Sequence, residues 1–500
     1  MLVPVLYGNQ ITRDFTEEFN YIENMFGIHT EMVWDGNRNI DESKYFTEQK
    51  LKNLFPEGSL DLSIKSRFLH SAGKSSPEIL DARNRVSMSI VDGVVNPEYN
   101  NIGQIIDILK KSGLKASIFG GGTNVSGCFN MKPGSHVLAI DTSKLNSVSI
   151  NENMATVGSG TYGPELEKVL NAHGYTCGNF PESFNYSTVG GWVSTRENGQ
   201  ESNQYGGIDN SIIAIKALTS DGIIMDRIVP RESSGLNARS IFSSSEGRYG
   251  LIVEATLKTF KLPVKKFFKS YFFKSFENGI DSIKTLEKFP SVMRLSDNTE
   301  TKIAIESSSN SNLKKLFLNY LGIRGVKSGS LLVVMNNDCK YRSKVYGGIS
   351  AGTYPGHQWL KDRYSRPGLA NILWKHGYVP DTLETSAVWD KLPELYRSTL
   401  DKFYSLQKEF GFKGIIMAHL SHMYTTGACI YFTFIILSDN ATEDLRNIRN
   451  AIVGNFVKKG AAISDHHGAG TYFRHYLDQA TIKAQSLMDD GLFSGWQNDQ

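Results

Sequence analysis

The run Phe119-Gly120-Gly121-Gly122-Thr123-Asn124-Val125-Ser126-Gly127 leaves a short apolar stretch, 116–119, and enters a turn. Three successive glycines let a backbone approach a ligand closely and aim consecutive N–H groups at one anion. Such a nest suits a pyrophosphate. It is neither of the commoner nucleotide signatures, because a GxGxxG fingerprint would need Gly at Val125 and no Lys-Ser/Thr pair follows as in a P-loop. Taken alone, the segment is explained about as well by a tight turn that holds nothing.

Two more clusters follow. Residues 181–199 read Pro-Glu-Ser-Phe-Asn-Tyr-Ser-Thr-Val-Gly-Gly-Trp-Val-Ser-Thr-Arg-Glu-Asn-Gly, rich in small hydroxyl side chains and with paired glycines. Residues 245–254 read Ser-Glu-Gly-Arg-Tyr-Gly-Leu-Ile-Val-Glu. Three such clusters between residues 119 and 254 are hard to explain as unrelated turns.

Around them the texture is mixed. Residues 1–89 are polar, with Trp34 and a helical stretch near 47–54, and form an N-terminal helical or irregular region. Apolar side chains at Ile102, Ile105, Ile106 and Leu109 predict a helix face. Short alternating runs from 137 to 160 predict antiparallel strands, and 162–173 a helix closed by Gly174. Asp221-Gly222 between apolar runs is a hairpin signal, and Lys261-Leu262-Pro263 reads as a linker. Residues 428–437 read as a buried strand. Residues 444–459 read as a helix with Leu445, Ile448, Ile452 and Phe456 on one face and Thr442 as N-cap. The run 265–274 interleaves Lys with Phe and Tyr. It reads as a strand with one buried face and snorkelling lysines, the alternative being contact with a membrane surface.

Composition excludes several classes. Of 500 residues 40% are hydrophobic and 21% charged, an ordinary globular balance. The net charge of +3 leaves no nucleic-acid footprint. Cys128, Cys177, Cys339 and Cys429 form no CxxC pair, so neither a zinc site nor a disulfide scaffold is expected. No run suits a membrane-spanning helix. Residues 1–6 lack a basic n-region and residues 498–500 are no peroxisomal address. The expectation is an intracellular protein, soluble or peripherally membrane-associated.

The three clusters together resemble the flavin-binding domain of the vanillyl-alcohol-oxidase-type (PCMH-type) FAD family. Its ether-lipid-forming synthases are the nearest branch, through Gly-Gly-Gly-Thr-Asn-Val-Ser-Gly and Ser-Thr-Val-Gly-Gly-Trp-Val-Ser-Thr-Arg. Later segments agree: Arg294-Leu295-Ser296-Asp297-Asn298, the Leu-Glu-Thr-Ser-Ala-Val-Trp-Asp run at 383–390, Gly427-Ala428-Cys429-Ile430-Tyr431-Phe432, and Ser464-Asp465-His466-His467-Gly468-Ala469-Gly470. The resemblance implies an α+β fold: a two-subdomain FAD-binding domain over 90–262 and an α+β cap domain with an antiparallel sheet over 263–455. A tail, 456–500, would return to the FAD site. The implied activity exchanges the acyl chain of acyl-dihydroxyacetone phosphate for a long-chain alcohol, without net redox change. An FAD-dependent 2-hydroxy acid dehydrogenase or oxidase is the alternative. The resemblance also admits a homodimer.

Site roles carry over residue by residue. Ile118, Phe119, Gly120, Gly121, Gly122, Thr123 and Asn124 would wrap the pyrophosphate. Glu182, Ser183, Ser187, Thr188, Gly191, Thr195, Arg196 and Asn198 would line the cofactor, and Glu246, Gly247, Gly250 and Ile252 would complete its pocket. No His lies between Gly174 and Lys265, and the first loop offers only Cys128, so FAD is expected to bind non-covalently. Tyr431 would be the catalytic acid/base, its pKa lowered by a cation or a histidine network. Arg294 would stabilise negative charge on the flavin. His466 and His467 would lie on a strand facing opposite sides, poor ligands for a metal, with Asp465 raising the pKa of His466. The synthases carry a phosphate-gripping Arg where this chain has Ala370. Arg366, four residues earlier, is the substitute cation, with Pro367-Gly368 expected to break the helix between them. Thr385 completes the expected substrate site.

Overall fold

The computed structural model describes residues 14–27, 45–46, 48–83, 89–129, 131, 134–306, 319–324, 328–489 and 491–493. Trp34 and the two chain ends read above lie outside them. Four strands, β1 (Leu60–Asp61), β2 (Gly93–Val95), β3 (Lys115–Phe119) and β4 (Val137–Asp141), form a sheet in the order β1-β2-β4-β3. β4 runs parallel to both β2 and β3, which corrects the antiparallel expectation from residue 137 onward. Val137, Leu138, Ala139 and Ile140 are all buried, and a strand covered on both faces carries no signal of its direction. The helix Ile102–Ser112 connects β2 to β3 and buries Ile102, Ile105, Ile106 and Leu109. The glycine run therefore leaves the carboxyl end of a parallel strand, where open sheets of this kind bind ligands.

A second, antiparallel sheet begins with the hairpin β5 (Val148–Asn151) and β6 (Met154–Gly158). The helix Gly163–Ala172 follows, and Gly174 at φ +80° turns the chain into β7 (Tyr175–Thr176). β8 (Ile212–Thr219) and β9 (Gly222–Met225) form the Asp221-Gly222 hairpin. β10 (Leu251–Lys258) completes the order β5-β6-β10-β8-β9, and β11 (Phe260–Lys261) pairs with β7.

The second half is one antiparallel sheet of β12 (Lys266–Phe273), β13 (Val292–Ser296), β14 (Ser330–Asn337), β15 (Ile349–Gly352), β16 (Val379–Val388), β17 (Lys413–Met423) and β18 (Gly427–Leu437). Its order is β15-β12-β14-β13-β17-β18-β16. On β18, Ile430, Phe432, Phe434 and Ile436 enter the core, while Tyr431, Thr433 and Ile435 face a cavity. The helices Leu392–Phe410 and Ala441–Lys458 cover the core face, the latter through Leu445, Ile448, Ile452 and Phe456. That helix is capped by Asn440 rather than Thr442, which lies in its first turn. Lys266 of β12 pairs with Glu201 at 3.1 Å and Lys269 donates to the Tyr341 carbonyl at 3.0 Å, so these two lysines turn to the protein. All four cysteines are free. Among the described residues no helix is long and apolar enough to cross a membrane.

Ile452 is fully buried between helix and sheet. Ile452→Ala is expected to cost about 2–5 kcal/mol in urea unfolding. A loss well under 1 kcal/mol would mean that this helix is not part of the cooperative core.

Candidate active site

A cavity of about 1440 Å³ opens between the two halves. Small-molecule sites usually measure about 300–1,000 Å³, so there is room for a second ligand beside a dinucleotide. From the first half it is lined by Ile118, the run Gly120, Gly121, Gly122, Thr123 and Asn124, then Glu182, Ser183, Ser187, Thr188, Gly191, Thr195 and Asn198. Glu246, Gly247, Gly250 and Ile252 complete that wall. Two expected members are elsewhere. Phe119 turns its ring onto His70 and Phe129, and Arg196 ends the helix Val189–Thr195 in a left-handed conformation with its side chain exposed.

This wall fits FAD. A Cβ on Gly121 would fall 1.9 Å from the Tyr186 carbonyl oxygen, so only a bare backbone passes there. Thr188 Oγ1 and Ser159 Oγ are buried, face the cavity and have no protein partner. Hydroxyls and backbone N–H groups left open in this way are what a pyrophosphate accepts from. Glu246 also lines the cavity, but its carboxylate accepts from the Gly470 N–H at 3.1 Å and so fastens the tail.

The opposite wall is the open face of the large sheet. Tyr431 Oη lies 2.9 Å from His466 Nε2 and 3.0 Å from His422 Nε2. The His419 ring stacks on the phenol at 4.6 Å and 12°. His466 and His467 sit in a bend, not a strand, which corrects the expectation that they face opposite sides. Their rings meet at 4.5 Å and both line the cavity. Glu384 holds that bend by accepting from the backbone N–H groups of Asp465, His466 and His467 and from the Ser464 hydroxyl. Asp465 lies 2.9 Å from His466 Nδ1 and accepts from Asn198 and Tyr424. Glu384, Cys429, Asp465 and His466 form a close group of metal-ligand types, but Glu384 is filled with N–H donors, whose positive ends would repel a cation.

Charges follow from these contacts. Burial opposes a charge on His466, but Glu384, the Asp465 hydrogen bond and Glu197 outweigh it and raise the pKa to about 9. His467 is pushed down to about 4 by burial and by the charge on His466. His422 falls to about 3 for the same reasons. Glu197 is pushed up to about 7, chiefly by burial, with Glu384 and Asp465 adding to it. The expected lowering of the Tyr431 pKa is reversed: burial, then Cys429, Glu384, Glu197 and Asp465 hold the phenol protonated.

Beyond Tyr431, Glu300 joins two cations. Arg294 donates to it at 2.6 Å and Arg366 at 3.1 Å. Arg294 also donates to His419 Nδ1 at 3.2 Å, which makes that imidazole an acceptor. Pro367 does not break the helix. It occupies the first turn of Arg366–Lys375, where its missing N–H has no bond to make, so Arg366 and Ala370 lie one turn apart and both line the cavity. Thr385, in contrast, is outside the cavity. It alternates with Glu384 to the other face of β16, and its hydroxyl donates to the Ala462 carbonyl. Ile303, Leu369, Leu373, Met417 and Ile435 extend the lining as an apolar surface. Glu300, His419, His422 and the clamping role of Glu384 lie outside the sequence reading, whereas Glu197 falls within the 195–198 segment expected to line the cofactor. The one available signal was His419 and His422 inside an otherwise apolar run.

Both halves of the chain are similar to known proteins. Residues 92–226 match the FAD binding domain model, and residues 263–486 match the model of the C-terminal domain of FAD linked oxidases. The chain is 27% identical over 452 residues to an alkyldihydroxyacetonephosphate synthase of Trypanosoma brucei brucei, covering 84% of this chain and 74% of that protein. It is 28% identical over 468 residues to the synthase of Dictyostelium discoideum, covering 87% and 76%. A solved alkyldihydroxyacetonephosphate synthase structure shares the fold at a TM-score of 0.81 and 23% identity, over 96% of this chain and 91% of that one.

Because its folded pKa of about 9 exceeds the ordinary 6.5, His466 adds stability in full below pH 6.5 and loses it as the pH rises through about 9. Asp465→Asn keeps an acceptor but removes the charge, so its alkaline fall in Tm is expected at lower pH. Identical Tm profiles for the two proteins would refute the assignment.

Proposed function

We propose that this chain, a flavoprotein in which an FAD binding domain is followed by an FAD linked oxidase C-terminal domain, is an enzyme of the alkyldihydroxyacetonephosphate synthase type. It exchanges the acyl chain of acyl-dihydroxyacetone phosphate for a long-chain alcohol without net redox change. One observation carries this reading. A phenol held between two imidazoles, a pair of arginines and an apolar surface share one cavity with a wall suited to FAD.

When bound, FAD supplies a ring system that can take up and return an electron pair at a reacting carbon. Tyr431 gives and takes the proton at that carbon. The charged His466 donates Nε2–H to the phenol oxygen and steadies negative charge there. Arg294 and Arg366 present two guanidiniums to the cavity, both bonded to Glu300 and with Glu182 and Asp362 also near, beside a His419 that burial and Arg294 keep neutral. Two guanidinium forks side by side suit a phosphate. Ile303, Leu369, Leu373, Met417 and Ile435 suit the long chain. Attachment of the flavin is non-covalent in this reading, because burial pushes the Cys128 thiol up and away from a reactive thiolate.

The test is product analysis. Purified holoprotein given acyl-dihydroxyacetone phosphate and hexadecanol is expected to form the ether and release fatty acid. Reduction of an artificial electron acceptor by 2-hydroxy acids, with no ether formed, would overturn the reading in favour of a dehydrogenase.

Arg366 carries a second expectation. A charge-assisted contact to phosphate is worth about 1.5–3 kcal/mol, or about 10- to 150-fold in affinity. Arg366→Ala should raise the apparent KM for the phosphorylated substrate by that order, and adding Ala370→Arg should restore part of it. An unchanged KM would remove Arg366 from the phosphate site.

A further inference from the structure

β17 pairs with β18 in regular register as far as Ser421 opposite Cys429, and then the register shifts so that Met423 faces Ala428. His422 occupies the extra position, with φ at +48°. A bulge re-aims a side chain, and a left-handed backbone at a non-glycine residue persists only where its surroundings hold it. Simple alternation after His419 and Ser421 would send residue 422 into the helix-covered core. Instead the ring enters the cavity, with Nε2 3.0 Å from Tyr431 Oη and Nδ1 2.7 Å from Ser202 Oγ.

The donors and acceptors around Tyr431 then have one consistent arrangement. His466 carries a proton on both nitrogens, one directed at Asp465 and the other at the Tyr431 oxygen, so it only donates. The phenol's own O–H is left to point at His422 Nε2, which must be bare. The single proton of His422 is then on Nδ1, where it donates to Ser202.

We propose that His422 is the proton acceptor behind Tyr431: as the phenol oxygen takes a proton from the substrate carbon, the phenol's own proton passes to His422 Nε2. The substrate C–H bond breaks and its electron pair stays with the substrate. One O–H bond forms at Tyr431 as the other breaks, and an N–H bond forms at His422. Tyr431 remains neutral, and the positive charge gained by His422 matches the negative charge gained by the substrate. The reverse movement returns the proton. This scheme avoids a free phenolate, which the burial of Tyr431 and its acidic neighbours disfavour.

The charged and titratable groups facing His422 include His419 from its own strand, Tyr431 from β18, Asp465, His466 and His467 from the tail, and Arg294 from β13. Ser202 and Asn203 approach from the helix Ser202–Tyr205, Asn203 accepting from the N–H of Met423 at 2.7 Å. Burial, together with the charges on His466 and Arg294, keeps His422 an empty acceptor at neutral pH, and negative charge arriving on the substrate opposes that bias. The proposal rests on the synthase reading for the identity of the carbon acid.

His422→Gln separates this role from a structural one, because its amide can accept from the phenol but cannot become a cation. In the FAD-loaded enzyme with acyl-dihydroxyacetone phosphate and hexadecanol, kcat is expected to fall by about 10²-fold or more. KM, FAD content and Tm should stay near the wild-type values. In His422→Ala, added imidazoles should restore turnover, more strongly as the basicity of the added imidazole rises. Nitrogen NMR of the histidine-labelled holoprotein should show His422 with Nδ1 protonated and Nε2 bare. Wild-type kcat in His422→Gln, rescue indifferent to basicity, or a proton on Nε2 would each overturn the proposal. If the wild type forms no ether, the synthase reading fails by itself, and the His422 tautomer then decides the hydrogen-bond arrangement.

Discussion

The reacting face depends on Glu384, a carboxylate with 4% of its surface exposed, on a strand at the edge of the large sheet. Burying such a group is costly unless its lone pairs are filled and a cation stands near. Both conditions are met chiefly by the tail, with the Cys429 thiol of β18 as a further donor. Three consecutive backbone N–H groups and one serine hydroxyl fill the oxygens, and the histidines keep the carboxylate ionised against its burial. Because Glu384 pairs directly with Tyr431 in the β16–β18 register, satisfying the carboxylate brings the imidazoles over the phenol. One electrostatic requirement thus fixes the position of the tail and the charge state of His466.

Glu300 does the corresponding work at the other end of the same face. It is 5% exposed, and although burial opposes its charge, Arg294 and Arg366 hold it ionised. Its helix, Asn298–Glu306, starts just after Asp297, whose carboxylate accepts from the Glu300 N–H at 2.8 Å. The two carboxylates divide the cavity wall into an end that carries the phenol and its imidazoles and an end that carries two arginines. His419, neutral and stacked on Tyr431, lies between them and touches both systems.

What could be read in the sequence was local. The glycine turn, the apolar faces of the helices Ile102–Ser112 and Ala441–Lys458, and the Asp221-Gly222 hairpin each depend on side chains a few positions apart, and the structure contains them. Strand direction was not readable for β4, because four buried apolar residues look alike in parallel and antiparallel pairs. His422 was hidden by its bulge, which breaks the period of two from which its facing would be inferred. Thr385 was misplaced for the opposite reason: the motif was regular, and regular alternation turns it away from its neighbour. Pro367 reads as a helix breaker from its residue type alone but stands in a first turn, a distinction that requires knowing where the helix starts. Glu384 and Glu300 carry ordinary surface letters, and only the folded chain shows that they are buried.

The bonds that assemble the histidine bend are also far apart along the chain. Asp465 reaches Glu384 across 81 positions, Gly470 reaches Glu246 across 224 and Asp465 reaches Asn198 across 267. Contacts of such separation carry a large loop-closure entropy and form after local ones. The sheets contain pairs just as distant, Glu254 with Gly158 among them, but each strand is held by a run of paired residues and the histidine bend by a few bonds, so on warming the tail can leave before the sheets melt. Loss of turnover on heating would then precede loss of secondary structure, and the interval between the two would measure how firmly the tail is held.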